Sequence, residues 1–470
     1  MFFKKKKISP VPSYPKKTTY IFSLFGATLI CVLGYFAVSA VNNFDFKIFE
    51  FDGQSQTNTG AYIGTSKFTF GKNNNDQSSN NNETYILLTG RGGGDHDAPD
   101  LTDTIILAGF NNIHETITLF SIPRDLFVDY PGSSRQGKIN RIYETFLPKG
   151  SDYAMGKLKE KVSEITGKNI DHYMNVDFEG FKEVVDALGG VEITLEENFV
   201  DYEFPDENLG YRPFILRKGT WTLDGDVALM FARSRHSTSD FDRSLRQQYI
   251  ISSLREKLGK LGYFRDSKTI LELYNIFNGY VETDMSLTQM VSLGLSIKSW
   301  KKTNTLSFNL NDSCYDGSPT CSAGGLLYVP LREYFAGASV LLPNDATYLS
   351  LGEYSEFAKF ADLIFESSDI YSDPKNIVIY NTTGIPLYAG SLAEQLRPFG
   401  FSIDKESGTQ TLAEKKFEKS ILYYNGIDIN DSTLVALKEQ LDIEIQETDL
   451  PVYSGSDVSI EIVLANDDSF

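Results

Sequence analysis

The residues best suited to chemistry lie in Phe231-Ala-Arg233-Ser-Arg235-His-Ser-Thr-Ser-Asp240-Phe-Asp242-Arg243-Ser-Leu-Arg246-Gln247-Gln248, where four arginines fall within fourteen residues. A planar guanidinium binds phosphate oxygens through paired N–H donors, so this run reads as a phosphate clamp. A solvated basic helix face paired with Asp240 and Asp242 would have the same composition. A second polar group stands upstream: Ser121-Ile-Pro-Arg124-Asp125 closes an apolar run, and Lys138-Ile-Asn140-Arg141 follows a loop containing glycine. In Asp97-Ala-Pro-Asp-Leu-Thr-Asp103-Thr, Asp103 directly precedes an apolar run and could hold a hard cation such as Mg²⁺ through oxygen. A turn or cap role is the plainer reading of that carboxylate. Thr89-Gly-Arg-Gly-Gly-Gly94 has the look of a phosphate-cradling loop without the G-K-[ST] ending of a P-loop. There is no G-x-S-x-G elbow to support serine-based acyl transfer, and the four histidines and three cysteines lack zinc-ligand spacing.

Elements able to position these groups follow from the hydrophobic pattern. Short β-like runs (Tyr85 to Thr89, Thr104 to Ala108, Thr116 to Ile122, Val191 to Leu195) are separated by helical patterns such as Tyr153 to Ile165 and Phe178 to Leu188. Strands alternating with helices imply a layered α/β domain, and polar groups at strand ends are where open sheets of this class place ligands. Further helical stretches cover Ser244 to Leu261 and Leu287 to Trp300, and the first domain is read as residues 83–372. Asp373-Pro374 reads as a linker. Strands at Asn376 to Tyr380, Ser420 to Tyr424 and Ser459 to Leu464, with a helix at Ala389 to Leu396, then predict a small α+β domain over 376–470.

The chain has 470 residues, enough for two or three domains. Its 44 basic and 63 acidic residues give a net charge of −19, which repels polyphosphate and argues against a nucleic-acid partner. Residues 1–19 run the other way, with six lysines and no acid; without them 38 basic residues face 63 acidic ones, a balance of −25. Tyr20 to Val41 then offers 22 residues without a charge, enough to cross a hydrocarbon core of about 30 Å. A cleaved signal peptide would have a shorter apolar region, about 7–15 residues. The lysine flank predicts a cytoplasmic N-terminus, a single-pass anchor at 20–41 in the cell membrane and an extracytoplasmic remainder. Residues 42–82 end in GKNNNDQSSNNN, a composition that suits a flexible stalk. Outside the cytoplasm disulfides persist, and Cys314 and Cys321 bracket a turn-forming CYDGSPTC, so a small-loop bridge is expected there.

Taken in order, LTDTIIL, SIPRD, KINRIY and the W-x-L-D-G…RSRH…SDFDRSLRQQ run resemble the LytR-CpsA-Psr family of membrane-anchored bacterial transferases, over roughly Tyr85 to Ile370. The segment with IVIYNTTG, LAEQL and GFSI resembles the accessory domain often attached to such proteins. The resemblance implies a mixed twisted sheet flanked by helices, a deep apolar pocket for a polyprenyl chain, and transfer of a polyprenyl-pyrophosphate-linked glycopolymer onto peptidoglycan with Mg²⁺. It also implies roles. Asp103 matches the metal-associated aspartate, Arg124 the arginine after the proline and Lys138 the lysine of K-I-N. Arg233 and Arg235 match the paired arginines, and Asp240, Arg243 and Gln247 the segment that follows them. Many members carry an aspartate in a G-x-D after the first strand, where this chain has Arg91-Gly92-Gly93-Gly94; Asp95 or Asp97 is the substitute expected for a second metal carboxylate. The alternative function is a non-catalytic surface module whose arginines retain a polyprenyl-pyrophosphate lipid or an anionic wall polymer.

Overall fold

In a computed structural model, the structure describes residues 83–94, 98–205, 210–234, 279–299, 304–314, 321–405, 407–412, 417–448 and 458–466, with isolated positions between 246 and 276. The basic tail at 1–19, the anchor at 20–41, the stalk at 42–82, Asp95, Asp97, Arg235, Asp240, Arg243 and Gln247 lie outside the described residues. No helix among the described residues is long and apolar enough to cross a membrane.

The leucine- and isoleucine-rich runs form strands Glu83–Arg91 (β1), Thr102–Asn111 (β2) and Thr116–Ser121 (β3), each pairing antiparallel with the next. A short hairpin follows, Phe127–Asp129 (β4) with Gln136–Lys138 (β5), then helices Arg141–Phe146 (α1) and Ser151–Thr166 (α2). His172–Asp177 (β6) returns parallel to β1. Alternate residues of these strands enter different cores, as a period of two requires. Tyr85, Leu87, Ile105 and Leu107 join the cluster that includes α2, whereas Ile86, Leu88, Ile106 and Ala108 join a second cluster on the other face. Because both faces are apolar, helices must cover both.

After β6 come helix Phe178–Ala187 (α3), strands Val191–Leu195 (β7), Phe199–Pro205 (β8), Tyr211–Leu216 (β9) and Gly219–Leu223 (β10), and helix Gly225–Arg233 (α4). These build a separate core around Phe181, Val191, Phe214 and Phe231. Both helices start on aspartate caps: Asp177 accepts from the Gly180 amide at 2.8 Å and Asp224 from Val227 at 2.9 Å. The chain returns to the first sheet with Val281–Thr283 (β11), helix Leu287–Ser299 (α5), whose Met290, Leu293 and Ile297 cover the second face, and Asn304–Asn309 (β12). The completed mixed sheet has the order β11-β6-β1-β2-β3-β12.

A two-stranded pair, Leu327–Tyr328 (β13) and Leu342–Pro343 (β14), precedes helices Ser355–Glu366 (α6) and Asp369–Ser372 (α7). Phe357, Phe360 and Ile364 of α6 are buried on the same face of the first sheet as α2. A second sheet then forms from Ile377–Asn381 (β15), Thr409–Thr411 (β16), Ile421–Tyr424 (β17), Glu444–Glu447 (β18) and Ile460–Leu464 (β19), in the order β16-β15-β19-β17-β18. Helices Tyr388–Leu396 (α8) and Ser432–Leu441 (α9) belong with it. One continuous hydrophobic cluster joins the two sheets: the rings of Phe360 and Phe399 meet edge to face at 6.5 Å, and the Tyr371 hydroxyl donates to Phe399 O at 2.8 Å. Cys314 and Cys321 are disulfide-bonded. Nearby Gly324 donates its amide to Pro398 O at 2.7 Å.

Candidate functional site

Parallel pairing puts the C-terminal ends of β1 and β6 at one edge of the first sheet, and β3 and β12 end there too, being antiparallel to β2 as β1 is. β2 starts at that edge. Its register against β1 slips there: Gly90 faces Thr104 and Arg91 faces Thr102, leaving Asp103 as the extra residue of a bulge. Such a bulge re-aims a side chain out of the ladder. Beyond β3, Ile122 still donates to Ile105 O at 2.9 Å, then Pro123 ends the pairing and a turn closed by Leu126 N to Pro123 O carries Arg124. The β4–β5 hairpin brings Lys138 and Asn140 back, where the Thr102 amide donates to Asn140 O at 3.1 Å.

These local constraints bring Asp103, Arg124, Asp125, Lys138 and Asn140 together. Arg124 Nη1 lies 2.6 Å from Asp103 Oδ1, and its Nε lies 3.8 Å from Asp125 Oδ2. Lys138 Nζ donates to Asp125 Oδ1 at 2.6 Å. Asn140 Nδ2 donates weakly to Asp103 Oδ1 at 3.4 Å, while its buried Oδ1 meets no partner among the described residues. Asn140 occupies the cap position of α1 without making a side-chain cap bond.

Arg233 reaches the same edge from α4. Its guanidinium lies 5.0 Å from the centroid of Phe178, the first residue after β6. Burial lowers its pKa from the ordinary value, and the Asp103 carboxylate opposes that shift. A guanidinium stays protonated in proteins, so burial here strips hydration from a permanent cation. Arg124, Lys138 and Arg233 against Asp103 and Asp125 leave this set of five groups one positive charge in excess.

Arg91 stands at the end of β1 in place of the expected loop; Thr89, Gly90 and Arg91 are strand residues. It pairs with Asp100 at 3.3 Å and Glu282 at 3.0 Å and lies over the Tyr143 ring. Glu282 also accepts from the Tyr143 hydroxyl at 2.9 Å and from Asn175 at 3.1 Å. Burial, then the Glu282 charge, pushes the Tyr143 hydroxyl well above its usual range, so it remains a donor. Sequence reasoning assigned no role to Asp125, Asn140 or Glu282. The first two adjoin assigned residues in S-I-P-R-D and K-I-N, a usable signal; Glu282 has none.

A family model described as the LytR_cpsA_psr family matches residues 47–324. The chain belongs to the LytR-CpsA-Psr family. Its relatives include "Regulatory protein MsrR" of Staphylococcus aureus, 29% identical over 48% of this chain and 65% of that protein. "Polyisoprenyl-teichoic acid--peptidoglycan teichoic acid transferase TagU" of Enterococcus faecalis is 30% identical over 46% of this chain and 65% of that one. The chain thus spans about 65% of the length of these curated relatives. The crystal structure of Bacillus subtilis TagV is 22% identical, covering 61% of this chain and 98% of that one with a TM-score of 0.42. As a LytR-CpsA-Psr protein, the chain carries the family match across every strand of the first sheet and both polar clusters.

Proposed function

We propose that this LytR-CpsA-Psr protein is a glycopolymer phosphotransferase, anchored through residues 20–41 with residues 83–372 outside the cytoplasm. It would move a polymer from a polyprenyl-pyrophosphate carrier to a hydroxyl of peptidoglycan. The observation that carries this reading is the convergence of Arg124, Lys138 and half-buried Arg233 at one sheet edge, beside a carboxylate aimed by a bulge. The names of transferases such as TagU lend support.

In the proposed reaction an acceptor hydroxyl oxygen attacks the phosphorus bonded to the polymer. A new P–O bond forms, the bond from that phosphorus to the bridging oxygen breaks, and polyprenyl phosphate departs with the electron pair. Negative charge accumulates on phosphoryl oxygens, where guanidinium groups fixed in advance stabilise it most. Arg124 and Arg233 supply that charge, with Arg235 and Arg243 assigned the same task. Lys138, Asp240 and Gln247 are assigned to the diphosphate's surroundings. Asp103 orients the hydroxyl and takes its proton.

Asp103 and the orphaned oxygen of Asn140 are hard donors that fit Mg²⁺, which characteristically uses one or two carboxylates and completes its shell with water and substrate phosphates. Among the described residues no three acidic, histidine or cysteine side chains form a metal cluster, and Asp97 is the proposed second carboxylate. Bound there, Mg²⁺ would neutralise phosphoryl charge. An apolar channel for the prenyl chain belongs to the same proposal.

The test is release. Purified protein given a polyprenyl-pyrophosphate-linked glycan, Mg²⁺ and peptidoglycan fragments should liberate polyprenyl phosphate and form a phosphodiester-linked product. Retention of the lipid intact, with no monophosphate formed, would replace the enzyme by the binding module.

A further inference from the structure

Behind Arg233 lies a buried polar knot that the reaction above does not use. Asp201 is fully buried in β8, where pairing with β9 becomes irregular, and its carboxylate accepts the Ser234 hydroxyl and the Glu203 amide, the latter at 3.0 Å. Ser234, also buried, directly follows the last residue of α4 and donates its amide to Met230 O at 3.0 Å. Arg246, 5% exposed, donates Nε to Phe231 O at 3.0 Å and Nη2 to Ser234 O. Its guanidinium lies over the rings of Phe199 at 5.0 Å and Phe231 at 6.0 Å.

This is a costly way to end a helix. Terminal carbonyls are ordinarily satisfied by water or a glycine cap, and the usual place for a cationic side chain near them is the surface. Burying a carboxylate and a guanidinium gains little stability compared with apolar packing, and the best-attested use of such groups is to select one conformation. The conformation selected here is that of the last turn of α4. Terminal helical residues fray, and Arg233 is the terminal residue. With Phe231 O and Ser234 O both held by Arg246, and the Ser234 side chain held by Asp201, the backbone on either side of Arg233 is fixed.

We infer that Asp201 and Arg246 are positioning residues that clamp Ser234 and thereby aim the Arg233 guanidinium at the diphosphate. The inference rests on the proposed function, and it assigns Arg246 a structural task distinct from that of the arginines that contact substrate. Neither Asp201 nor Arg246 is a catalytic residue in this scheme.

The experiment measures binding of farnesyl diphosphate and farnesyl monophosphate to the full chain by calorimetry, for the parent, Ser234→Ala, Asp201→Asn and Arg233→Ala. Each protein is held well below its own unfolding midpoint. Ser234→Ala deletes one hydroxyl and Asp201→Asn one charge, so the two report on the same contact through different chemistry. The expected result is a narrowed preference for diphosphate over monophosphate, by about fivefold in each, as loss of one hydrogen bond in the clamp implies. Arg233→Ala should narrow it further. A lowered unfolding midpoint with an unchanged preference in both clamp variants would make the knot purely structural and overturn the inference. If Arg233→Ala itself leaves the preference intact, it is the diphosphate reading that fails. If one clamp variant does not fold, the other decides alone.

Discussion

Replacing Asp103 with asparagine should separate binding from turnover, because the change keeps the side chain's size and removes its charge. Arg124 Nη1 lies 2.6 Å from Asp103 Oδ1. A phosphate oxygen held at about 2.8 Å on the far side of that guanidinium therefore sits about 6 Å from the carboxylate. At an effective dielectric of about 20, two unit charges at that distance repel by about 2.8 kcal/mol. The two side chains are 22% and 29% exposed, and solvent screening reduces the repulsion to about 1.4 kcal/mol, or about tenfold in affinity. Asp103→Asn should accordingly bind farnesyl diphosphate about tenfold more tightly than the parent in Mg²⁺-free buffer, measured by calorimetry. With Mg²⁺ present the order should reverse, since the parent gains affinity and the variant does not. Release of polyprenyl phosphate by the variant should fall by about a hundredfold or more. A variant that keeps the parent's Mg²⁺ response and turnover would refute the assignment of Asp103 to the ion and to the hydroxyl.

Arg233→Lys keeps a charge but loses the planar fork, so kcat/KM for polyprenyl phosphate release should stay at least about tenfold below the parent. Lys138→Ala brings the charge of the five-group set from one positive to zero while leaving Asp125 without its 2.6 Å partner; KM should rise by about three- to tenfold with kcat changed less. Phe360 packs edge to face on Phe120 and Phe308, and Phe360→Ala should cost about 3–5 kcal/mol in denaturant unfolding. Asp284 sets an acid limb: burial pushes its pKa up, but hydrogen bonds from His172 and the Tyr173 amide and the charge of Lys159 outweigh burial and hold it below its ordinary value. A carboxyl depressed in the folded state adds stability above its unfolded pKa, near 4, and loses it as pH falls through the lower folded value. Asp284→Asn should therefore flatten the decline of stability below about pH 4, in a series of unfolding midpoints against pH.

The apolar runs made the first sheet legible. Each strand of β1 to β3 is bounded by polar or turn-forming residues, and Asp103 stands out as a carboxylate near the start of β2, just before its apolar run. The hairpin strands β8 and β9 were not legible, because Asp201, Glu203, Pro205 and Pro213 interrupt their pattern and pairing is irregular between Asp201 and Phe204. Arg246 shows how composition misleads. Among RSLRQQ it looks like any clamp arginine, yet it is buried and holds the end of α4. Glu282 sits in the unremarkable Val281-Glu-Thr283, and only the antiparallel pairing of β11 with β6 brings it to Arg91 and Tyr143. The glycine-rich stretch misled in the other direction: Gly90 and Arg91 complete β1, since the ladder with β2 and β6 continues to that point.

The proposed function asks an acidic chain of net charge −19 to hold a diphosphate, and the arrangement of the cations bears on how it would do so. Arg124, Lys138 and Arg91 each lie against a carboxylate of the protein, respectively Asp103, Asp125 and the Asp100–Glu282 pair. Those pairings fix the cations before substrate arrives, so the entropy of ordering long side chains is met during folding rather than binding. They also cancel most of the long-range positive field, which makes steering of anions from a distance weak. Affinity then depends on direct contact with fixed donors, and a group with two adjacent phosphates engages more of them than a single phosphate does. Raising ionic strength should accordingly slow association of farnesyl diphosphate only modestly. A steep salt dependence of the association rate, of the kind produced by an open basic patch, would contradict this account.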